Sequence, residues 1–138
     1  MFKKIFKKKE SLNNNVLVAA LLIHAAKIDE NYTDIEKRVI KKALIDLNNI
    51  DSNQAEELII HAEKKEEEQN QIVEFTKEIK KHSMEFRLKI IEVIWKIVYS
   101  DSISDNYESN LIRRICGLLY VSDKDNGIIK IKVQNISK

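Results

Sequence analysis

Seven carboxylates concentrate in two short segments of the chain that are related by a constant offset. Residues 29–36 and 101–108 lie 72 positions apart, and their sixteen positions contain no Lys or Arg. A chain with 22 Asp and Glu among 138 residues predicts only two or three acids in sixteen positions. Carboxylate oxygens favour calcium, magnesium and manganese over zinc. These segments, the first and second acidic corners, therefore predict a divalent-cation site or an acidic surface for a protein partner.

The predicted cation ligands are acids of the two corners. They are Asp29, Asp34, Glu36, Asp101, Asp105 and Glu108. Helix capping is a structural alternative, because Thr33 and Glu36 have the three-residue spacing of a capping box. The second corner repeats this spacing, and the helix dipole favours acids in a first helical turn. Capping therefore accounts for four of the six acids.

Asp29 and Asp101 are the two acids that capping does not explain. Both follow apolar stretches, at the helix end where the dipole disfavours negative charge. A bound cation would offset this repulsion. The corners lack the D-x-D-x-D-G loop of an EF-hand, so the sequence leaves both interpretations open, the cation site and the plain capped corner.

The motifs of common enzyme classes are missing from the chain. Two glycines cannot form a glycine-rich phosphate loop, and no G-x-S-x-G elbow is present. Cys116, His24, His61 and His82 have no spacing typical of a metal site or a nucleophile pair. We therefore expect a protein that is not an enzyme. A metal-dependent hydrolase that uses the clustered carboxylates is the weaker alternative.

Composition predicts an all-α fold. The chain has no proline and only two glycines, too few turn-forming residues for frequent strand reversals, while Lys, Glu, Leu, Ile and Ala dominate. We expect one compact bundle of about seven helices over residues 12–138, built from a duplicated helix-corner-helix unit. Residues 1–11 form a separate basic tail.

Two stretches are apolar on almost every face, which is typical of buried helices. They run from Leu12 to Ile28 and from Met84 to Ser100. We expect residues 16–28 and 88–100 of these stretches to pack together at the centre of the bundle, with Trp95 covered by protein. An amphipathic helix follows each of them, over residues 33–47 and 105–120.

Smaller features complete the predicted helices. The apolar face of the helix over 33–47 includes Ile35, and Ser83 is a candidate N-cap for the second buried helix. The charged stretch 63–68 is interpreted as a solvated helix end. After Ser122, we expect a short last helix rather than a strand, because a lone strand would have no partner.

The distribution of charge limits the possible partners. Residues 1–10 carry a net charge of +4, which leaves about −2 for the rest of the chain. Nucleic-acid binding requires a clustered basic face, so we expect no nucleic-acid partner. The single cysteine agrees with a cytoplasmic location. No stretch reaches the roughly 20 apolar residues that a membrane-spanning helix requires.

The basic tail offers a different function, that of a peripheral membrane adaptor. Its apolar residues have helical spacing among lysines, a pattern typical of segments that lie on a lipid surface. The candidate lipid contacts are Phe2, Lys3, Lys4, Ile5, Phe6 and Lys7. Such a tail would hold the protein weakly at the inner face of the membrane. A solubilising, frayed terminus is the simpler interpretation.

The repeated order of apolar helix, acidic corner and amphipathic helix resembles the TerB-like tellurite resistance proteins, which are related to the N-terminal domain of DjlA-type co-chaperones. The matching stretches run from Ala25 to Glu36, from Ile94 to Arg114 and from Gly117 to Asp125. The resemblance covers about residues 15–130. Its most specific part is the double acidic corner.

The resemblance implies a compact fold of about seven helices, no known catalysis and acidic residues that chelate metal. It also implies a place in bacterial stress-response assemblies, some of them near the inner membrane. One difference from the family pattern lies in the corners, where the glycine after each Asp is replaced by Glu30 and Ser102. If that glycine has positive φ in the family, the corners bend differently here.

We predict that the tail gives weak, salt-sensitive binding to anionic vesicles, because each lysine near an anionic surface contributes about 1 kcal/mol. Co-sedimentation of the full chain with such vesicles measures this binding. A chain that begins at Ser11 should remain in the supernatant. Equal sedimentation of the two chains would contradict the adaptor hypothesis.

Overall fold

The computed structural model describes residues 15–27, 32–69, 71–100 and 106–136, except for the side chains of residues 106–109. These residues form seven helices and no strand, so the all-α prediction is confirmed. The helices are α1 (residues 15–26), α2 (Asp34–Asn48), α3 (Ser52–Glu68), α4 (Ile72–Ile79), α5 (Met84–Tyr99), α6 (Asn106–Leu118) and α7 (Asp123–Ile136). The tail and parts of both corners lie outside the description. The duplication and the domain boundary therefore stay predictions.

Helices α1 and α5 supply the centre of the core. Every residue of α1 from 18 to 23 is at most 2% exposed, and seven side chains of α5 are buried. They belong to one hydrophobic cluster, to which each of the other five helices adds buried side chains. A helix that is apolar on every face is stable only when protein covers it. The other five helices provide this cover.

Trp95 of α5 is buried, as predicted, and links α5 to the last helix. Its side chain is 2% exposed, and its Nε1 donates a hydrogen bond to Asn126 Oδ1 over 2.9 Å. Lys130 Nζ lies 5.2 Å from the centroid of the indole ring. Residues 123–136 are helical, as expected for the last element. The backbone N–H of Asp125 donates to the Ser122 hydroxyl over 3.1 Å, which caps the start of this helix. The helix is longer than the short one that was predicted.

The inward face of α2 differs from the prediction. Ile35 was expected to face the core, yet it is 52% exposed, while Glu36 is only 3% exposed. Glu36 stands four residues before Ile40 and eight before Leu44, which are both buried, and residues at this spacing share one helical face. A carboxylate therefore occupies the inward position in the first turn of α2.

Short side chains fix where several helices begin. Thr33 and Asp51 form capping boxes at the starts of α2 and α3, and the Ser83 hydroxyl caps α5 as predicted. Capping satisfies backbone N–H groups that have no partner within a first helical turn. The capping box at Thr33 lies within the first acidic corner.

Cys116 of α6 lies in the core, as its apolar neighbours predict. It is 1% exposed, and burial, together with the nearby Asp123 carboxylate, raises the pKa of its thiol to about 12. A thiol reacts as its thiolate, so this cysteine is protonated and unreactive near neutral pH.

The candidate lipid contacts of the tail lie outside the described residues. They are Phe2, Lys3, Lys4, Ile5, Phe6 and Lys7. Within the described part of the chain, no helix combines the length and apolar character needed to span a bilayer. Contact of the tail with a membrane surface stays a prediction.

We predict that Trp95→Ala lowers the free energy of unfolding by about 3–5 kcal/mol, because it removes a fully packed aromatic ring. Chemical denaturation measures this change. Ile60→Ala is the control, since Ile60 is 66% exposed and its loss should cost less than about 0.5 kcal/mol. A cost below about 1 kcal/mol for Trp95→Ala would contradict the packing described above.

Candidate functional site

Two of the six predicted cation ligands fall within the description with their side chains. Asp34 is exposed in the first turn of α2, and Glu36 points into the protein one residue beyond Ile35. The other predicted ligands lie outside the described residues: Asp29, Asp101, Asp105 and the side chain of Glu108. The described residues therefore include 32–36 of the first acidic corner and, without their side chains, 106–108 of the second.

Glu36 completes the capping box that its spacing from Thr33 predicts. Its Oε1 accepts hydrogen bonds of 3.0 Å from both the backbone N–H and the hydroxyl of Thr33. In return, the backbone N–H of Glu36 donates to the Thr33 hydroxyl over 3.1 Å. A carboxylate in this position also interacts favourably with the helix dipole. One oxygen of Glu36 is thus used to hold the start of α2.

Glu66 connects α3 to the end of α1. Its Oε2 accepts a hydrogen bond of 2.8 Å from Lys27 Nζ, and its Oε1 lies 3.2 Å from His24 Nδ1. Glu66 is 7% exposed, so this carboxylate is largely removed from water. A buried carboxylate is tolerated when charged or polar partners satisfy its oxygens. His24 and Lys27 provide these partners.

The role of Glu66 corrects the interpretation of residues 63–68 as a solvated helix end. Glu67 and Glu68 are exposed, but Glu66 is buried and Glu63 is partly buried. Glu66 lies four residues after Ala62 and eight after Leu58, and so continues the inward face of α3. This spacing is the sequence pattern from which the burial of Glu66 could have been predicted. The high charge of the whole stretch obscured it.

Tyr32 brings Glu63 into the same cluster. Its hydroxyl donates a long hydrogen bond of 3.4 Å to Glu63 Oε1, and Lys37 Nζ lies 3.5 Å from that oxygen. The same ammonium group stands 4.9 Å from the centroid of the Tyr32 ring, and that of Lys27 stands 6.0 Å away. The phenol therefore lies between two lysines and at least one carboxylate.

The pKa of Tyr32 reports the local electrostatics. Burial raises this pKa well above its usual value of 10.0, and the nearby charges of Glu63, Glu36 and Glu66 raise it further. The unfolded chain would lose the phenol proton above about pH 10 while the folded protein keeps it. This group therefore favours folding below its usual pKa, and that contribution is lost as the pH rises above it. Three carboxylates from α2 and α3 thus act on one hydroxyl.

The chemical capacity of this cluster follows from the partners of its carboxylates. Oε1 of Glu36 serves the cap, and lysines neutralise Glu63 and Glu66. Within the described ranges, no group of three His, Cys, Asp or Glu side chains is arranged to hold a metal ion. The described carboxylates thus do not form a cation site by themselves. Such a site would need the acids of residues 28–31.

Comparisons with known proteins give one result. The family model described as "Tellurite resistance protein TerB" matches residues 15–130, most of the chain. No match is found among curated proteins or among solved structures. The matched range contains all the helices except the end of α7 and includes both acidic corners.

We predict that Glu66→Gln lowers the free energy of unfolding by about 1–3 kcal/mol, because it leaves the Lys27 ammonium beside a neutral, buried amide. Denaturant unfolding of the two proteins measures the difference. Glu67→Gln is the matched control on the same helix, and its exposed side chain should change stability by less than about 0.5 kcal/mol. Equal effects of the two substitutions would contradict a structural role for the buried carboxylate.

Proposed function

The chain belongs to the TerB family of tellurite resistance proteins, and we propose that it is a non-enzymatic helical module that binds a divalent cation through its acidic corners. The supporting observation is the acidic surroundings of Tyr32 in the first corner, where Glu63 Oε1 lies 3.4 Å from the phenol oxygen and the charges of Glu36 and Glu66 add to the negative potential. Helices α2 and α3 supply these carboxylates. The acids of the corner itself adjoin this cluster in sequence.

The sequence of the first corner adds negative charge to the cluster. Lys27, which is bonded to Glu66, is followed two residues later by Asp29 and then by Glu30. Capping explains Glu36 but not Asp29, whose charge the dipole of the preceding helix disfavours. A cation that shares the oxygens of this corner would offset both the dipole and the mutual repulsion of the acids.

The proposed ligands differ in their availability. Since Glu36 Oε1 is used by Thr33, the cation would be held mainly by Asp29 and Asp34. An all-oxygen site of this kind suits calcium, magnesium or manganese. At the second corner, Asp101, Asp105 and Glu108 are the proposed equivalents. They rest on the sequence repeat alone.

The cellular setting that we propose follows from the family. The family description refers to tellurite resistance, so a role in a bacterial stress response is the natural context. The acidic corners would contribute either by holding a cation or by binding a basic protein partner. These two modes differ in whether an inorganic ion alone affects the stability of the protein.

We predict that calcium, magnesium or manganese at millimolar concentration or below raises the melting temperature of the wild type. An ion that binds only the folded state stabilises it by about 2.7 kcal/mol when present at about 100 times its Kd. Differential scanning calorimetry measures the shift. Asp29→Asn, Asp101→Asn or both should remove it while leaving the apo protein equally or more stable, because each removes an unfavourable charge at a helix end.

Asp46→Asn is the control for this experiment, since Asp46 is an exposed acid of α2 outside both corners. This variant should keep the full shift with the cation. If none of the three ions shifts the wild-type melting temperature, the cation proposal is wrong. The corners would then serve as helix caps or as a surface for a basic partner.

A further inference from the structure

One stripe of the central helix α5 is only partly covered by the residues that the structure describes. Lys89, Glu92 and Lys96 follow one another at intervals of three and four residues and so lie on one side of the helix. Helices α2 and α7 both pack on α5. The stripe lies between them, at the bottom of a groove of about 490 Å³. We term this feature the α2–α5–α7 groove.

The groove combines apolar walls with charged groups. Its apolar lining comes from all three helices: Val39, Ala43 and Leu47 of α2, Val93 of α5, and Val133 and Ile136 of α7. Ile136, at the end of α7, is 68% exposed. An open groove with apolar walls on a helical scaffold is the type of surface that accepts an amphipathic helix. Its volume is also within the range of known binding pockets.

The charges of the groove favour an acidic occupant. Lysines at positions 42, 89 and 96 and acids at positions 46 and 92 line it. The Glu92 carboxylate is already paired with Lys132 at 2.8 Å. Lys89 has only an exposed contact of 3.7 Å with Glu85. Within the described ranges no ion pair is found for Lys42, Lys96 or Asp46. Because the two lysines outnumber Asp46, the available charge in the groove is positive.

We propose that the α2–α5–α7 groove binds an amphipathic helix of a partner protein that carries acidic residues beside its apolar face. Apolar side chains at helical spacing enter between α2 and α7, while Asp or Glu on the flanks pair with Lys42 and Lys96. On α2, the groove is lined by residues between 39 and 47. The described contacts of the acidic corner involve Thr33, Glu36 and Lys37 at the start of that helix, so the two surfaces are distinct.

The chain's own basic tail is a less suitable occupant. It contains Phe2, Ile5 and Phe6 at helical spacing, but residues 1–10 carry a net charge of +4. Lysines of the tail would approach the lysines of the groove, and like charges at close range oppose binding. An acidic helix has the same apolar spacing without this repulsion. The lysines of the groove therefore favour binding of an acidic partner helix over binding of the basic tail.

The test uses fluorescence anisotropy with a labelled synthetic helix of three heptads, with Leu at the apolar positions and Glu on both flanks. The full-length protein should bind this peptide. A second peptide with every Glu replaced by Lys should bind at least tenfold more weakly. The Lys42→Glu/Lys96→Glu double variant should lose at least tenfold in affinity for the acidic peptide and should reverse the preference.

Two matched variants locate the binding. Lys64→Glu reverses an exposed lysine of α3 outside the groove and should leave the affinity unchanged. Ala43→Trp fills the groove without changing its charge and should weaken binding at least tenfold. Asp29→Asn should leave peptide binding intact, so failure of the cation proposal and failure of this one are distinguishable. Circular dichroism melting curves verify that each variant is folded.

Several results would overturn the proposal. It fails if the wild type does not bind the acidic peptide at millimolar concentration, or if Lys64→Glu weakens binding as much as the double variant does. Binding that is seen only in a Phe6→Ser variant would assign the groove to the basic tail. A wild-type dimer in sedimentation equilibrium that is lost in Ala43→Trp would assign it to a second copy of the chain.

Discussion

The burial of α5 is the constraint on which the rest of the structure depends. Seven of its side chains are withdrawn from water, and each buried aliphatic or aromatic side chain contributes about 1.5–3 kcal/mol to folding. A helix with apolar residues on nearly every side must be surrounded, and α2, α6 and α7 all pack against it. Among the described residues, the middle of α5 is left open along the stripe that carries Lys89, Glu92 and Lys96. The groove is thus a consequence of where the cover of α5 ends.

A second constraint is the burial of a carboxylate where α3 meets the end of α1. Glu66 is nearly excluded from water, and among the described residues His24 and Lys27 make its burial acceptable. Such a buried pair adds little net stability, because desolvation offsets most of the attraction between the charges. Its effect is geometric. An alignment of α1 with α3 that separated these groups would leave Glu66 buried without its partners, so the contacts favour the observed alignment.

Helix α2 separates two surfaces of opposite character. Toward α3, Tyr32 and Glu36 of the first acidic corner lie near the lysine-paired Glu63. Toward α5 and α7, Lys42 stands at the edge of a groove with available positive charge. The buried residues Ile40 and Leu44 hold α2 to the core, while Lys37 and Lys42 are among the polar residues on its other sides. The two surfaces that we propose as binding sites therefore differ in charge.

The sequence alone determined those features that depend on neighbours within one helical turn or on the apolar fraction of a segment. The all-α fold, the capping box of Thr33 and Glu36 and the burial of Trp95 follow from spacing and hydropathy, and the structure agrees with each of them. These interactions span three or four residues or require only that a helix be surrounded. A linear pattern contains that information.

Only the tertiary structure decided which polar side chains are used inside the protein and where the cover of α5 ends. Ile35 and Glu36 exchange the expected inward role, and Glu66 lies among charged neighbours that suggested solvent. The contacts of Glu66 join residues 39 and 42 positions apart, and the bond of Trp95 to Asn126 spans 31. Such contacts depend on how the helices cross. Periodicity within a single helix gives the direction of a face but not the residue that another helix places against it.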